Sequence, residues 1–142
     1  MSTGWLLDTS AIAVSDRPQV LRWLSPMLRS GVLYTCPVLD IEALAAARSS
    51  ESYRKLASER REAYRAVPFT ASIGERALSL QARLARRAHY RVVEARDLLV
   101  AATAIENDLT VLHYRQVFGL LGELCELEQC PVAPLGTLGA RR

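Results

Sequence analysis

Trp5-Leu6-Leu7-Asp8-Thr9-Ser10-Ala11 constrains this chain more than any other stretch. Three apolar residues run into a carboxylate, and two small hydroxyl residues that can cap a helix follow it. The pattern predicts a buried strand that ends in an acid and turns into a helix. In an open parallel α/β sheet, ligands bind at the C-terminal edge of the strands. An acid at that edge faces a crevice instead of the core. Taken alone, Asp8 serves equally well as a turn or N-cap residue, so the rest of the chain has to decide.

The remaining sequence alternates between strand and helix patterns. Ala11 to Ser30 has helical spacing through Val20, Leu21, Leu24, Met27 and Leu28, with Pro18 and Pro26 predicting two short helices or a kinked one. Val32 to Cys36 reads as a short strand, and Pro37 opens a helix over Val38 to about Ala47 that carries Glu42 near its apolar stripe. Residues 49–65 read as a basic helix with Tyr53, Leu56, Ala57 and Tyr64 inward. Val67-Pro68-Phe69 is a brief extended piece, and Ser72 with Glu75 has the spacing of a capping box for a helix to about Ala88. Ala95 to about Asn107 is apolar nearly all round, which predicts a helix buried between layers. Asp97 sits in its first turn, where the helix dipole alone would favour an acid. Leu109 to His113 is a strand, Phe118 to Leu124 a short helix, and a last strand is expected near Cys125 to Leu127. Residues 131–142 look irregular and frayed.

At 142 residues the chain suits one domain over 1–142. No apolar run reaches the roughly 18 residues that span a membrane, and the N-terminus lacks a signal-peptide pattern, so a cytoplasmic, non-membrane protein is expected. Cys36, Cys125 and Cys130 match neither a disulfide framework nor a zinc site. Charge is uneven. Residues 48–96 hold twelve basic against five acidic side chains, while the remainder holds six against ten. A basic middle suits a polyanionic partner, although such arginines also serve simply to solvate helix faces. His113 is expected to be a hydrogen-bonded structural histidine, and His89 a surface residue at a helix end.

Strands alternating with helices predict a parallel sheet covered on both faces. Asp8, Glu42 and Asp97 then fall at one edge of it. Three acids gathered there would repel one another unless a cation held them, and hard cations such as Mg²⁺ take carboxylate oxygens. Such an ion can activate water and neutralise charge on a phosphodiester. No nucleophile triad or Gly-rich phosphate loop competes with this reading.

Leu6 to Ala11, the Glu in Pro37-Val38-Leu39-Asp40-Ile41-Glu42, the block Asp97-Leu98-Leu99-Val100-Ala101-Ala102-Thr103-Ala104 and the strand Leu109 to Tyr114 together resemble PIN-domain proteins. They resemble most closely the VapC toxins of bacterial toxin–antitoxin pairs. The resemblance runs from about Trp5 to Leu138. It implies an α/β/α sandwich with a central parallel sheet, Mg²⁺- or Mn²⁺-dependent endoribonuclease activity on RNA, a cognate antitoxin and a homodimer. Asp8 and Asp97 match the family's metal ligands, and Glu42 its third acid. Thr9 and Ser10 match the hydroxyl positions beside the first acid.

One departure stands out. Where the family usually has Asp-x-Asp-Phe after the strand, this chain has Arg115-Gln116-Val117-Phe118. If Arg115 turns inward onto Asp8 or Asp97, metal binding and cleavage should be weak. If it turns outward it can grip RNA phosphate. The resemblance therefore implies a ribonuclease of reduced activity. The alternatives are an impaired PIN-fold protein kept for antitoxin and operator binding, or a generic flavodoxin-like domain with scattered acids. For the antitoxin, Trp23, Leu24, Met27 and Leu28 suggest an apolar groove that accepts a helix.

Overall fold

The computed structural model describes residues 3–88 and 90–139. The strands β1 (Gly4–Leu7), β2 (Leu33–Thr35), β3 (Arg65–Ala66), β4 (Leu109–His113) and β5 (Gln129–Pro131) form one sheet in the order β3-β2-β1-β4-β5. Every pairing is parallel. The helices are α1 (Thr9–Ile12), α2 (Pro18–Arg29), α3 (Pro37–Leu44), α4 (Ser50–Ala63), α5 (Ala71–Ala85), α6 (Ala95–Glu106) and α7 (Gln116–Cys125).

Alternation along the central strands builds both cores. Leu6 pairs with Val111 and Leu7 with Leu112 in the β1–β4 register. Leu6 and Val111 point into an apolar cluster with Leu39, Leu80, Leu98 and Phe118, which draws on α3, α5, α6 and α7. Leu7 and Leu112 point the other way, onto Val20, Leu24 and Leu33. Successive strand residues face opposite sides of a sheet, so an all-apolar strand requires a helical layer on each face. The result is the expected α/β/α sandwich. Each fully buried side chain of this size stabilises it by roughly 1.5–3 kcal/mol. Gly4 permits the close β1–β2 approach, because a Cβ there would lie 2.5 Å from the Tyr34 ring.

Several local expectations need correction. Pro18 does separate two helices, but α2 continues through Pro26. Burial of Val20 and Leu24 outweighs one missing hydrogen bond, and the Pro26 carbonyl accepts from the Ser30 N–H at 3.0 Å. The α4 face is not Tyr53, which is exposed. Arg60 is the buried residue of that helix, with its charge carried inward to Asp40 (2.9 Å) and Thr35 (3.0 Å). The α5 cap is Thr70, whose hydroxyl accepts from the Ile73 N–H, and not Ser72.

The last strand lies at Gln129–Pro131 instead of Cys125–Leu127. Cys125 completes α7, and Glu126 ends it in the left-handed conformation at φ 58°. The segment after β5 is less frayed than its composition suggests. Val132 is buried, the Leu138 N–H donates to the Tyr114 hydroxyl at 3.0 Å, and Arg17 reaches the Gly139 carbonyl. Cys36 and Cys125 are buried, and burial pushes both thiols up from their ordinary pKa. His89 lies outside the described residues. No helix among the described residues is long and apolar enough to cross a membrane.

Candidate active site

The acidic edge is built by the segments that leave the sheet after β1 and β2, and by the start of α6, which follows α5 and runs back to β4. β1 ends at Leu7, and Asp8 follows as the N-cap of α1. Its backbone N–H donates to the Leu112 carbonyl at 2.9 Å, which ties the acid to the end of β4. Its Oδ2 accepts from the Ser10 N–H at 3.0 Å and from the Ser10 hydroxyl at 2.6 Å. Ser10 Oγ in turn accepts from the Tyr114 N–H at 2.8 Å, so it links the ends of the two central strands. Thus Asp8 is an N-cap, as its plain reading holds, and still keeps Oδ1 directed into the crevice. It is wholly buried.

Glu42 comes from α3, which Pro37 starts directly after β2. Its side chain is 38% exposed, and it accepts a hydrogen bond from the Thr9 hydroxyl. Asp97 stands in the first turn of α6 and is wholly buried. Its Oδ2 accepts from the Glu94 N–H at 3.2 Å, which caps the helix start.

All three acids meet on one residue that sequence reasoning passed over. The Arg96 guanidinium donates from Nη2 to Asp8 Oδ1 at 2.7 Å and to Glu42 Oε1 at 2.7 Å. Its Nε donates to Glu42 Oε2 at 3.0 Å and its Nη1 to Asp97 Oδ1 at 2.9 Å. Burial works against the charge on this side chain. The nearby Asp8 carboxylate and hydrogen bonds to Asp97, Asp8 and Glu42 outweigh that, and hold the group above the ordinary arginine pKa.

One signal could have found it. Arg96 lies in the first turn of a helix, where the dipole disfavours a cation. A buried cation in that position requires acids in front of it.

Arg115 also turns inward. Its Nη1 donates to Asp97 Oδ1 at 2.6 Å, from a side chain that is 35% exposed. Its backbone N–H donates to His113 Nδ1 at 3.1 Å, while His113 Nε2–H donates to Gln129 Oε1 at 2.6 Å. This assigns His113 a structural role. The imidazole is 1% exposed, and burial, its main influence, pushes its pKa below the ordinary histidine value. Arg115 makes a single contact with the acids, to Asp97.

Carboxylates are the donor type for Mg²⁺ or Mn²⁺. As held, these three do not fit a divalent cation. The oxygens that face one another are each engaged by a guanidinium, and three carboxylates against two guanidiniums leave one net negative charge. Among the described residues, no three His, Cys, Asp or Glu side chains form a group that could hold a metal ion. No buried side-chain nitrogen or oxygen among them lacks a hydrogen-bond partner. The site is satisfied by its own arginines.

A second feature lies on the opposite face of the sheet from α6. Leu7, Ile12, Leu21, Leu24, Leu28 and Leu33 line a cavity of about 140 Å³ beside α2. Leu24 is buried, but Trp23, Leu21 and Leu28 remain 37%, 51% and 44% exposed. An apolar surface is thus present along this helix.

The family model described as PIN domain matches residues 5–118. Ribonuclease VapC21 of Mycobacterium tuberculosis is 36% identical over 118 residues, covering 83% of this chain and 86% of its own length. Ribonuclease VapC51 of the same organism is 34% identical over 142 residues, covering 97% of this chain and 99% of its own. Among solved structures, FitAcB from Neisseria gonorrhoeae superposes with a TM-score of 0.70 at 20% identity, covering 92% of this chain and 99% of that one. DNA-bound VapBC from Salmonella typhimurium gives 0.73 at 13% identity, covering 92% and 98%. At these low identities the two structures bear on the fold alone.

Proposed function

From a chain that belongs to the VapC family of PIN-domain proteins, we propose an endoribonuclease toxin of a toxin–antitoxin pair, with activity held low by its own arginines. Asp8, Glu42 and Asp97 are its catalytic carboxylates in this reading, supported by Thr9 and Ser10. One observation carries it: three acids from separate segments converge on a single guanidinium at the C-terminal edge of a parallel sheet. That edge is where such sheets hold ligands. Asp8 and Asp97 are wholly buried, and buried carboxylates are costly to fold unless a cation stands beside them.

The chain's own side chains suit a phosphodiester. Arg115 stands beside the acids, and its planar guanidinium fork matches phosphate oxygens. Glu42 is the partly exposed acid of the three and can orient an incoming water. The basic residues between 48 and 96 suit the RNA backbone. Relatives named Ribonuclease support the substrate class. A requirement for Mg²⁺ or Mn²⁺ belongs to this reading, with binding weakened because the arginines fill the crevice and the position of the family's further acid is held by Arg115.

The same reading gives the chain a cytoplasmic location, a homodimeric state and a cognate antitoxin. The antitoxin follows from the chain's membership of the VapC family, whose resemblance implies one. The apolar surface along α2 would receive it as a helix laid in a groove.

A second reading is favoured by the arginine-filled site itself. The protein would be catalytically silent and kept for antitoxin and operator binding. Incubating the purified chain with structured RNA across a Mg²⁺ series separates the two. The ribonuclease reading expects slow internal cleavage at millimolar Mg²⁺, none with chelator, and none in a folded Asp8→Asn variant. Intact RNA at every metal concentration would favour the silent protein.

A further inference from the structure

We propose that Arg96 is a built-in cation lock, so that its guanidinium and a divalent cation are alternative occupants of the same carboxylate oxygens of Asp8, Glu42 and Asp97. This rests on the reading of those acids as the functional site. The geometry points to it in three ways.

First, Arg96 uses all three guanidinium nitrogens and reaches all three acids, at 2.7–3.0 Å. The oxygens it takes, Asp8 Oδ1, Asp97 Oδ1 and both of Glu42, are the ones directed at a common centre. The remaining oxygens, Asp8 Oδ2 and Asp97 Oδ2, are turned away to Ser10 and to the Glu94 N–H. A cation placed among the acids would need the oxygens that Arg96 holds.

Second, the position is one a helix would not choose for a cation. Arg96 is in the first turn of α6 and its side chain is only 15% exposed. Dipole and desolvation both oppose its charge there, so its placement depends on the acids. An ordinary surface salt bridge has no such dependence.

Third, release requires no rearrangement of the fold. Arg96 is anchored by its backbone in α6, and its long stem can change rotamer while the helix stays in place. The crevice has an open side at Glu42, which is 38% exposed. The two sequence-adjacent side chains then divide the work: Asp97 is fixed by the helix start, and Arg96 is the movable counter-ion. Arg115 differs in kind. It makes one contact, to an oxygen Arg96 already shares, from a more exposed position. Its removal leaves the lock closed.

Mn²⁺ binding to the full chain, followed by calorimetry, tests the lock without any activity measurement. The natural protein should bind Mn²⁺ weakly. Arg96→Met should tighten binding by roughly tenfold or more, because affinity follows ligand charge. Arg115→Met should tighten it by about threefold or less, on the same reasoning. The gain in Arg96→Met should disappear when Asp8→Asn is added. Unchanged affinity in a folded Arg96→Met, or a gain that survives Asp8→Asn, overturns the proposal.

Should Arg96→Met not fold, the natural chain still decides. The Arg96 Nε–H proton should be slow to exchange by NMR without metal, and should become fast on saturation with Mg²⁺. A slow-exchanging Arg96 Nε–H in the metal-saturated protein overturns the lock. The ribonuclease reading fails separately. Tight Mn²⁺ binding by Arg96→Met, with RNA cleaved neither by that variant nor by the natural chain, leaves the lock standing and removes that reading. Cleavage by the natural chain at micromolar Mg²⁺ with Arg96 still in place does the reverse.

Discussion

The Arg96–Asp8 pair lends itself to a double-mutant cycle in stability. Arg96→Met strips four charge-assisted hydrogen bonds from the acids, but the damage is unequal. Glu42 can turn toward water, and Asp97 keeps Arg115 at 2.6 Å. Asp8 is 0% exposed and keeps only the Ser10 N–H and hydroxyl. One buried carboxylate therefore loses its ionic partner, a change that costs about 3–5 kcal/mol. With Arg96 itself 15% exposed, we expect the lower end, about 3 kcal/mol. That corresponds to a fall of roughly 6–12 °C in Tm for a domain of this size.

Asp8→Asn leaves Arg96 with Glu42 and Asp97, and should cost about 1.5–2 kcal/mol, the scale of one charged hydrogen bond. The double variant removes both charges together, which is far cheaper than orphaning one. It should cost about 2 kcal/mol, so the coupling is roughly 2.5–3 kcal/mol. Urea unfolding near neutral pH with chelator present measures each corner. Costs that add to within about 0.5 kcal/mol would falsify the coupling, and with it the idea that Arg96 neutralises a buried acid.

Three other outcomes follow from the same structure. Arg60→Met should lower stability by about 2–3 kcal/mol in urea, because it strips Asp40 of its ionic partner and loses the stack on Tyr64 at 5.1 Å; Asp40 is partly exposed and keeps the Thr35 hydroxyl at 2.9 Å, which moderates the loss. Burial depresses His113, so the unfolded chain takes up that proton first as pH falls. Its contribution to stability is present above the ordinary histidine pKa near 6.5 and is lost as pH falls from there toward the depressed folded value. His113→Gln should flatten that slope in pH-dependent melts, and an unchanged slope would assign it elsewhere. Leu28→Glu alters an exposed residue on α2 and should shift stability by only about 0.5 kcal/mol, yet abolish co-purification of the coexpressed antitoxin; retained antitoxin would move the binding surface away from α2.

The central architecture was legible because its signals are periodic and strong. Leu6-Leu7 and Val111-Leu112 are apolar on both faces, a pattern only a doubly covered parallel strand satisfies. α6 was readable for the same reason. The edges of the sheet were not. β3 is two exposed residues, Arg65 and Ala66, whose pairing with Tyr34 and Thr35 is set by where α4 delivers the chain. β5 was misplaced because the left-handed turn at Glu126 carries no glycine to announce it.

At the site, the acids were visible as chemistry at the ends of elements. Arg96 was not, because arginine beside aspartate in a helix looks like ordinary surface charge. Its meaning comes from Asp8, 88 positions away, and Glu42, 54 positions away. The inward turn of Arg115 was anticipated, but the weight it was given belongs to Arg96.

If this ribonuclease site is held closed by its own arginine, RNA cleavage across a Mn²⁺ series must differ between the natural chain and Arg96→Met. The metal concentration for half-maximal cleavage should fall by roughly tenfold in Arg96→Met, in step with the added ligand charge. An unchanged half-maximal concentration would contradict the lock, and cleavage by the natural chain that is lost in a variant that folds and binds metal would make Arg96 a participant in the reaction instead.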